Sequence, residues 1–236
     1  MKIIYHLLFI FSLFISANSA IAQVESINTD RPDQSDGVYT IPKNTFQLEN
    51  GITIAKQTVI NNLMLRYGLT PSTEIRLLLD VGKEFENKGL LPVSLSFKQR
   101  IIEQKEIIPA MTLVGYVAFE QLASKDFKGN KLPFEIKMAF ENEINDKFSI
   151  GYNLGTSNQF KDLNLSAALG YNIIDKISTF VEYFSTLSKN GNEHNIDAGI
   201  LYIINPKLQI DIAYAQPLHG LDNKPFSTIG ISYSFR

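Results

Sequence analysis

From Phe46 to Phe235 the chain alternates apolar and polar side chains in runs of eight to eleven residues, each closed by a turn, about twelve times over. Phe46, Leu48, Ile52 and Ile54 share one face of the first run, and Ile75, Leu77, Leu79 and Val81 oppose Glu74, Arg76, Leu78 and Asp80 in the third. The last run sets Ile229, Ile231, Tyr233 and Phe235 against Gly230, Ser232 and Ser234. A period of two gives a strand one apolar and one polar face. Strands are expected near 46–54, 60–67, 74–81, 94–98, 108–119, 132–141, 148–155, 163–171, 177–186, 195–204, 208–216 and 229–235. In the fifth of these Met111, Leu113 and Val117 blur the two faces.

The connections alternate in character. Tight turns are expected at 68–72, 102–107, 142–146, 172–176 and 205–207, interleaved with longer polar loops near 83–90, 120–131, 157–162, 187–194 and 217–225. A short outer connection near 56–59 is the exception. Hairpins that differ systematically at their two ends fit a transmembrane antiparallel up-and-down β-barrel, with short turns in the periplasm and longer loops outside. An even strand number puts both termini in the periplasm, and closure removes the unpaired edges that lipid would not tolerate. A water-soluble β-sandwich would share the alternation. Two features favour the all-β membrane barrel: polar faces rich in Gly, Ser, Asn and charge, and aromatics gathered at strand ends. These are Phe46, Tyr67, Phe140, Phe148, Tyr171, Tyr202 and Phe235 at one level, and Phe119, Phe134, Phe160, Tyr214 and Phe226 at the other.

The first residues supply the export route. Met1-Lys2, the apolar Ile3–Ile15 run and Ser19-Ala20-Ile21-Ala22 read as a signal peptide, residues 1–22, cleaved before Gln23. The apolar run is shorter than the ~20 residues of a membrane-spanning helix. Domain organisation then reads as signal 1–22, an extended periplasmic segment 23–44, and the barrel 45–236, placed in the bacterial outer membrane with lipid as its surroundings. Absence of cysteine excludes a lipid-modified N-terminus and a disulfide scaffold. Without Lys2 the chain has 21 basic and 24 acidic side chains, net −3, so nucleic acid is not an expected partner. Only His194 and His219 remain outside the signal, which argues against a histidine-rich metal site, and no cofactor is expected.

Ahead of the first strand stand Thr29-Asp30-Arg31-Pro32-Asp33 and then Pro42-Lys43-Asn44-Thr45-Phe46-Gln47-Leu48-Glu49. Here the chain resembles the outer-membrane transporter-like family named for the meta-pathway of phenol degradation, in its Bacteroidetes branch. The resemblance implies a transport barrel for a small aromatic or hydrophobic solute, "phenol" being a label rather than a substrate. Pro32 disfavours a helix before it and supports an extended or turn conformation. The motif, Asp30, Arg31, Pro32 and Asp33, is read as a partial plug in the barrel opening, with Arg31 pairing a lumenal carboxylate such as Glu49, Glu135 or Asp211; the alternative is a solvated leader.

Candidate lumen-lining residues on the polar register are Glu49, Arg76, Lys98, Glu135, Lys137, Glu182, Asp197 and Asp211. Their mixed signs indicate no strong ion filter, and inward charges of a narrow barrel can meet across it. Three functions stay open: a transporter or narrow channel, a structural or ligand-binding barrel with a closed lumen, and, a distant third, a hydrolase using His194 or His219. The chain shows no nucleophile elbow, and a triad needs geometry that sequence proximity does not supply. Tyr233 and Phe235 complete a terminal alternation of the kind read by the outer-membrane insertion machinery, although Arg236 follows the aromatic.

Overall fold

The computed structural model describes residues 26–220 and 224–235; the expected signal peptide 1–22 and its cleavage site lie outside the described residues. Thirteen strands form one sheet: β1 (Phe46–Ala55), β2 (Thr58–Thr70), β3 (Thr73–Glu84), β4 (Asn87–Leu90), β5 (Val93–Ile102), β6 (Ala110–Phe119), β7 (Phe134–Glu143), β8 (Phe148–Ser157), β9 (Asp162–Ile174), β10 (Ile177–Leu187), β11 (Glu193–Asn205), β12 (Leu208–His219) and β13 (Phe226–Phe235). Each pairs antiparallel with its neighbour, β1 pairs with both β2 and β13, and β2 pairs with β3, so the sheet closes into a barrel. β4 and β5 both pair with β3, at Val81–Glu84 and Thr73–Leu78 respectively, and are one wall position interrupted at Leu91-Pro92. Proline has no N–H to give a ladder, so the strand breaks there. Twelve wall positions result, the number read from the sequence.

The interior is polar and the exterior apolar. Arg66, Arg76, Lys98, Glu49, Glu74 and Glu182 are all at most 2% exposed, whereas Ile54, Ile212 and Ile229 are more than half exposed. Water would invert that distribution, since charged side chains are almost never fully buried and large apolar belts rarely face solvent. It is the distribution lipid demands, with all backbone groups paired between strands. Aromatic pairs ring the end that carries the barrel's chain ends, called proximal here: Phe46–Tyr67 (4.5 Å between ring centres), Phe148–Tyr171 (4.8 Å), Phe140–Tyr152 (5.0 Å) and Tyr233–Phe235 (4.8 Å). At the distal end Phe134 packs edge-on against Phe160 at 5.0 Å. Phe226 departs from the expected girdle: it shares the alternation of the lumenal Thr228, so it lies on the inward face of β13.

Two sequence expectations change. The polar stretch 83–90, expected as a long loop, is the end of β3 and β4, a hairpin turning at Phe85-Glu86 with Phe85 at φ 54°. The five turns at the proximal end are tight except 103–109, and among the described residues only 120–133 at the distal end is extended, with a 3-10 turn at Glu120–Leu122, while 157–162 and 187–194, expected as longer loops, are short because the strands run on into them. Strand β6, whose faces looked blurred, alternates cleanly: Met111, Leu113 and Val117 share the outward face, while Ala110, Thr112 and Val114 are buried. Its inner face carries apolar side chains because Ala110, with Ala139 of β7, packs against Val38 of the N-terminal segment.

The lipid-facing assignment makes a sided prediction. Ile229→Arg, midway along β13, should destabilise the barrel by about 2–4 kcal/mol. Ser157→Arg, on the inward face of β8 near the distal mouth, should cost under ~1 kcal/mol. Denaturant titration from lipid vesicles measures both; equal costs would contradict the assignment.

Candidate functional site

The wall presents a row of cations that needs help. Arg66 of β2 lies directly opposite Arg76 of β3, and Lys98 of β5 is one further strand along, opposite Glu74. Like charges opposed across a ladder repel, and burying cations without partners costs several kcal/mol each. The wall supplies part of the answer. Arg66 bonds Glu49 (2.6 Å) and Glu74 (2.9 Å), while Arg76 reaches only as far as 3.8 Å from Glu74 and donates to Ser96 (2.7 Å).

The N-terminal segment supplies the rest. Its chain starts at the proximal rim, where the Ile27 N–H donates to the Pro206 carbonyl (2.9 Å), and returns there, where the Asn44 N–H donates to Gly68 O (2.8 Å). Between these points it loops into the lumen. One Asp30 oxygen accepts from Arg76 at 2.8 Å and lies 3.4 Å from Arg66, and the other takes Lys98 at 2.8 Å. Asp36 accepts from Arg76 (2.8 Å), Lys137 (2.9 Å) and the Tyr116 hydroxyl (2.6 Å). Arg31 turns the opposite way, to Asp211 (3.2 Å) of β12 and Thr228 (2.7 Å) of β13. Its guanidinium lies against Gly51 and Gly230, which are directly paired across the β1–β13 seam. A methyl built on Gly51 would fall 2.2 Å from Arg31 Cζ, and one on Gly230 2.4 Å from Nε, so only glycine admits this approach.

At its tip the segment meets β8 and β10 through neutral donors. The Gln34 N–H (2.7 Å) and the Ser35 hydroxyl donate to Glu182, and Asn153 brackets Asp36, accepting from its N–H (2.8 Å) and donating to its carbonyl (3.1 Å). On the return path Thr112 donates to Val38 O and the Ile41 N–H donates to Glu74 (2.8 Å).

Charge sets the acidities of the segment. Enclosure would raise the Asp30 carboxyl, but Arg66, Lys98 and Arg76 outweigh it and hold the group at about 2. Asp36 is likewise raised by enclosure and brought well below the usual carboxylate range by Lys137, Arg76 and Lys98. Asp33 has no such partner; enclosure, then Glu182, Asp30 and Asp197, push it well up. Enclosure and the hydrogen bond to Glu143 raise the Tyr39 phenol.

Of the residues singled out from sequence, Asp30, Arg31, Glu49, Arg76, Lys98, Lys137, Glu182 and Asp211 meet in this contact between segment and wall. Arg31 takes Asp211 rather than Glu49 or Glu135; Glu135 reaches Lys137 instead, at 2.8 Å. Pro32 is buried behind a cis Arg31–Pro32 peptide. Asp197 is buried, and neither of its oxygens meets a donor among the described residues other than the Glu182 carboxyl. Sequence reading did not single out Arg66, Tyr116, Asn153 or the paired glycines. Arg66 carried a signal, a lone charge on the same alternation as Gly68 in an apolar stretch. His194 shares a 2.6 Å hydrogen bond with Tyr183 and sits 6.3 Å from the His219 ring, at the distal end and outside this contact.

Two cavities flank the segment. The distal one, about 340 Å³, is lined by Gln34, Asn153, Ser157, Asn164, Phe184 and Thr186. The proximal one, about 220 Å³, is lined by Asp33, Tyr39, Glu141, Ser149 and Phe180 among others. A larger hollow of about 680 Å³ lies on the lipid face over β2 to β7, floored by Gly115.

Two predictions use the chain's lack of cysteine. Val38→Cys, fully buried where the segment packs on the wall, should resist a membrane-impermeant maleimide and become labelled when Asp30→Asn and Asp36→Asn are added. Gly51→Ala with Gly230→Ala should also expose it, whereas Gly151→Ala, 3.9 Å from its nearest contact, should not. Acid should act in the same direction. Because the Asp30 carboxyl is lowered in the docked state, its contribution, roughly 2 kcal/mol, is present above the ordinary value of 3.8 and is lost as pH falls from about 4 through about 2. Val38→Cys labelling after brief acid exposure measures this.

Comparison with known proteins follows the same lines. No curated protein matches the chain in sequence. Solved barrels do match in fold. An outer membrane channel from Pseudomonas putida F1 is 11% identical, with a TM-score of 0.65 over 86% of this chain and 100% of that one. The KdgM porin is 7% identical, with 0.63 over 80% and 99%, and the NanC porin 9% identical, with 0.59 over 80% and 98%. A family model described as "Putative MetA-pathway of phenol degradation" matches residues 29–235, from the Asp30 motif to the final strand. The chain belongs to that family of outer-membrane β-barrels.

Proposed function

We propose that this protein is a narrow outer-membrane channel whose N-terminal segment is a plug, admitting small solutes along one side of the lumen. The observation that carries this reading is the unequal attachment of the segment. Ion pairs hold it to β2–β7 and, through Arg31, to β12, while toward β8–β10 it makes only hydrogen bonds, with a cavity above and another below. Ser149, Gly151, Ser166, Ala168, Gly170 and Ser178 share the inward register on that side and leave room. The porins and channel with the same fold make passage of small solutes the natural function for such a lumen. Phe180 and Phe184, one in each cavity lining, suit a small aromatic solute of the kind the family description suggests.

In this reading the short-turn end faces the periplasm, residues 23–44 act as a unit, and the terminal strand carries the assembly signal. Tyr233 and Phe235 face outward at the proximal rim, where insertion machinery could read them. Glu49, Arg76, Lys98, Glu135, Lys137, Glu182, Asp197 and Asp211 then serve to position the plug or border the path.

Planar-bilayer recording tests the channel. The full chain should give small unitary currents, and removal of residues 23–44 should raise them severalfold. Silence of both forms would favour the closed-lumen alternative. Phe235→Ser should lower the level of folded barrel in outer membranes; unchanged levels would remove the assembly role.

A further inference from the structure

The lumenal cations Arg31, Arg66, Arg76, Lys98 and Lys137 are each engaged by carboxylates. Three carboxyl groups beside the plug tip are not. Glu182 of β10 and Asp197 of β11 are directly opposed across the ladder, both on the inward face and both at most 2% exposed. Asp33 projects from the plug among them, close enough for both to act on its acidity. No ion pair among the described residues reaches any of the three. Glu182 accepts only from the neutral Gln34 N–H and Ser35 hydroxyl. Neither oxygen of Asp197 meets a donor among the described residues other than the Glu182 carboxyl. Lys137, the cation bordering the distal cavity, is already held by Asp36 and Glu135.

Gln34 lines the distal cavity and Asp33 the proximal one, while Glu182, bonded to Gln34 and Ser35, and the opposed Asp197 lie buried behind the plug tip and act on the path through space. Uncompensated carboxylates in a narrow, low-dielectric duct attract cations and repel anions far more strongly than they would in open water. Glu141 in the proximal lining adds a further acid on the same route.

Resting on the channel reading above, we propose that Asp33, Glu182 and Asp197 are a selectivity determinant that admits small neutral and cationic solutes and excludes anions, carboxylates and phosphates included. The wall charges facing β2–β7 are spent on the plug, and Lys137 and Arg31, which border the two cavities, are each paired with carboxylates, so the uncompensated charge beside the path is negative. Because Asp33, facing Glu182, Asp197 and Asp30, ionises late, the preference should be fullest at alkaline pH.

Reversal potentials of the full chain in a tenfold KCl gradient, near pH 8.5, provide the test. Potassium should pass over chloride by at least about threefold, and the added Asp33→Asn/Asp197→Asn pair should bring that ratio towards unity. The pair removes unpartnered charge from an enclosed site, and retention of the heat-modifiable barrel band verifies folding. Currents without cation preference, or a preference untouched by the pair, would overturn the selectivity assignment while leaving the channel standing. Absence of current from the full chain and from its Asp33→Asn/Asp197→Asn form would instead overturn the channel reading, and this inference with it.

Discussion

Two arginines facing each other across a β-ladder, inside a lumen too narrow to hydrate them, are the constraint from which the rest of this architecture follows. Arg66 and Arg76 are directly opposed and fully buried. Glu49 and Glu74 answer Arg66, but Arg76 finds only a hydroxyl and a distant carboxylate in the wall. A barrel left with that arrangement would carry uncompensated charge in a medium where each desolvated ion costs several kcal/mol. Asp30 and Asp36 bring the missing charge from outside the sheet. The lumen is therefore completed by a piece of chain that belongs to no strand.

That piece also braces the barrel across its width. Its carboxylates bind β3, β5 and β7, its arginine binds β12 and β13, and its backbone meets β8 and β10. Arg31 lies on the seam where first and last strands join, and the opposed Gly51 and Gly230 leave the depth it needs. A side chain on either glycine would displace the Arg31 guanidinium from the seam. The hydrogen bond from Gly37 N–H to Asp30 at 3.3 Å ties the two limbs of the loop, so its anionic and cationic contacts act together.

Much of this was legible in the sequence because a two-residue period is a strong signal when one face meets lipid. The strand number, the inward register of Glu49, Arg76, Lys98, Glu182 and Asp211, and the outward register of Tyr233 and Phe235 all follow from alternation. The 83–90 hairpin was less legible because Lys83, Glu84, Glu86, Asn87 and Lys88 are as polar as a loop, yet they pair beyond the lipid belt, where no apolar face is required. Partner choice was illegible for a different reason. Alternation fixes which face a residue takes, but Arg31 meeting Asp211 rather than Glu49 depends on the path of an irregular segment and on two glycines distant in sequence. Arg66 escaped notice because its importance comes from cross-strand opposition to Arg76, a property of register rather than of composition.

The same register divides the lumen into halves of different character. Strands β2 to β7 contribute long charged side chains, and strands β8 to β10 contribute Ser149, Gly151, Ser166, Ala168, Gly170 and Ser178 at the corresponding inward positions. A chain drawn into such a cylinder settles against the half that offers ion pairs and leaves the half lined by small residues incompletely filled. Space beside the plug is thus a consequence of where charge was placed on the opposite wall. Acids on the far side that no cation reaches, Glu182 and Asp197 above all, then acquire a different environment from those that anchor the plug. Anchorage of the segment and the space left beside it are two outcomes of one uneven distribution of charge and side-chain volume around the barrel.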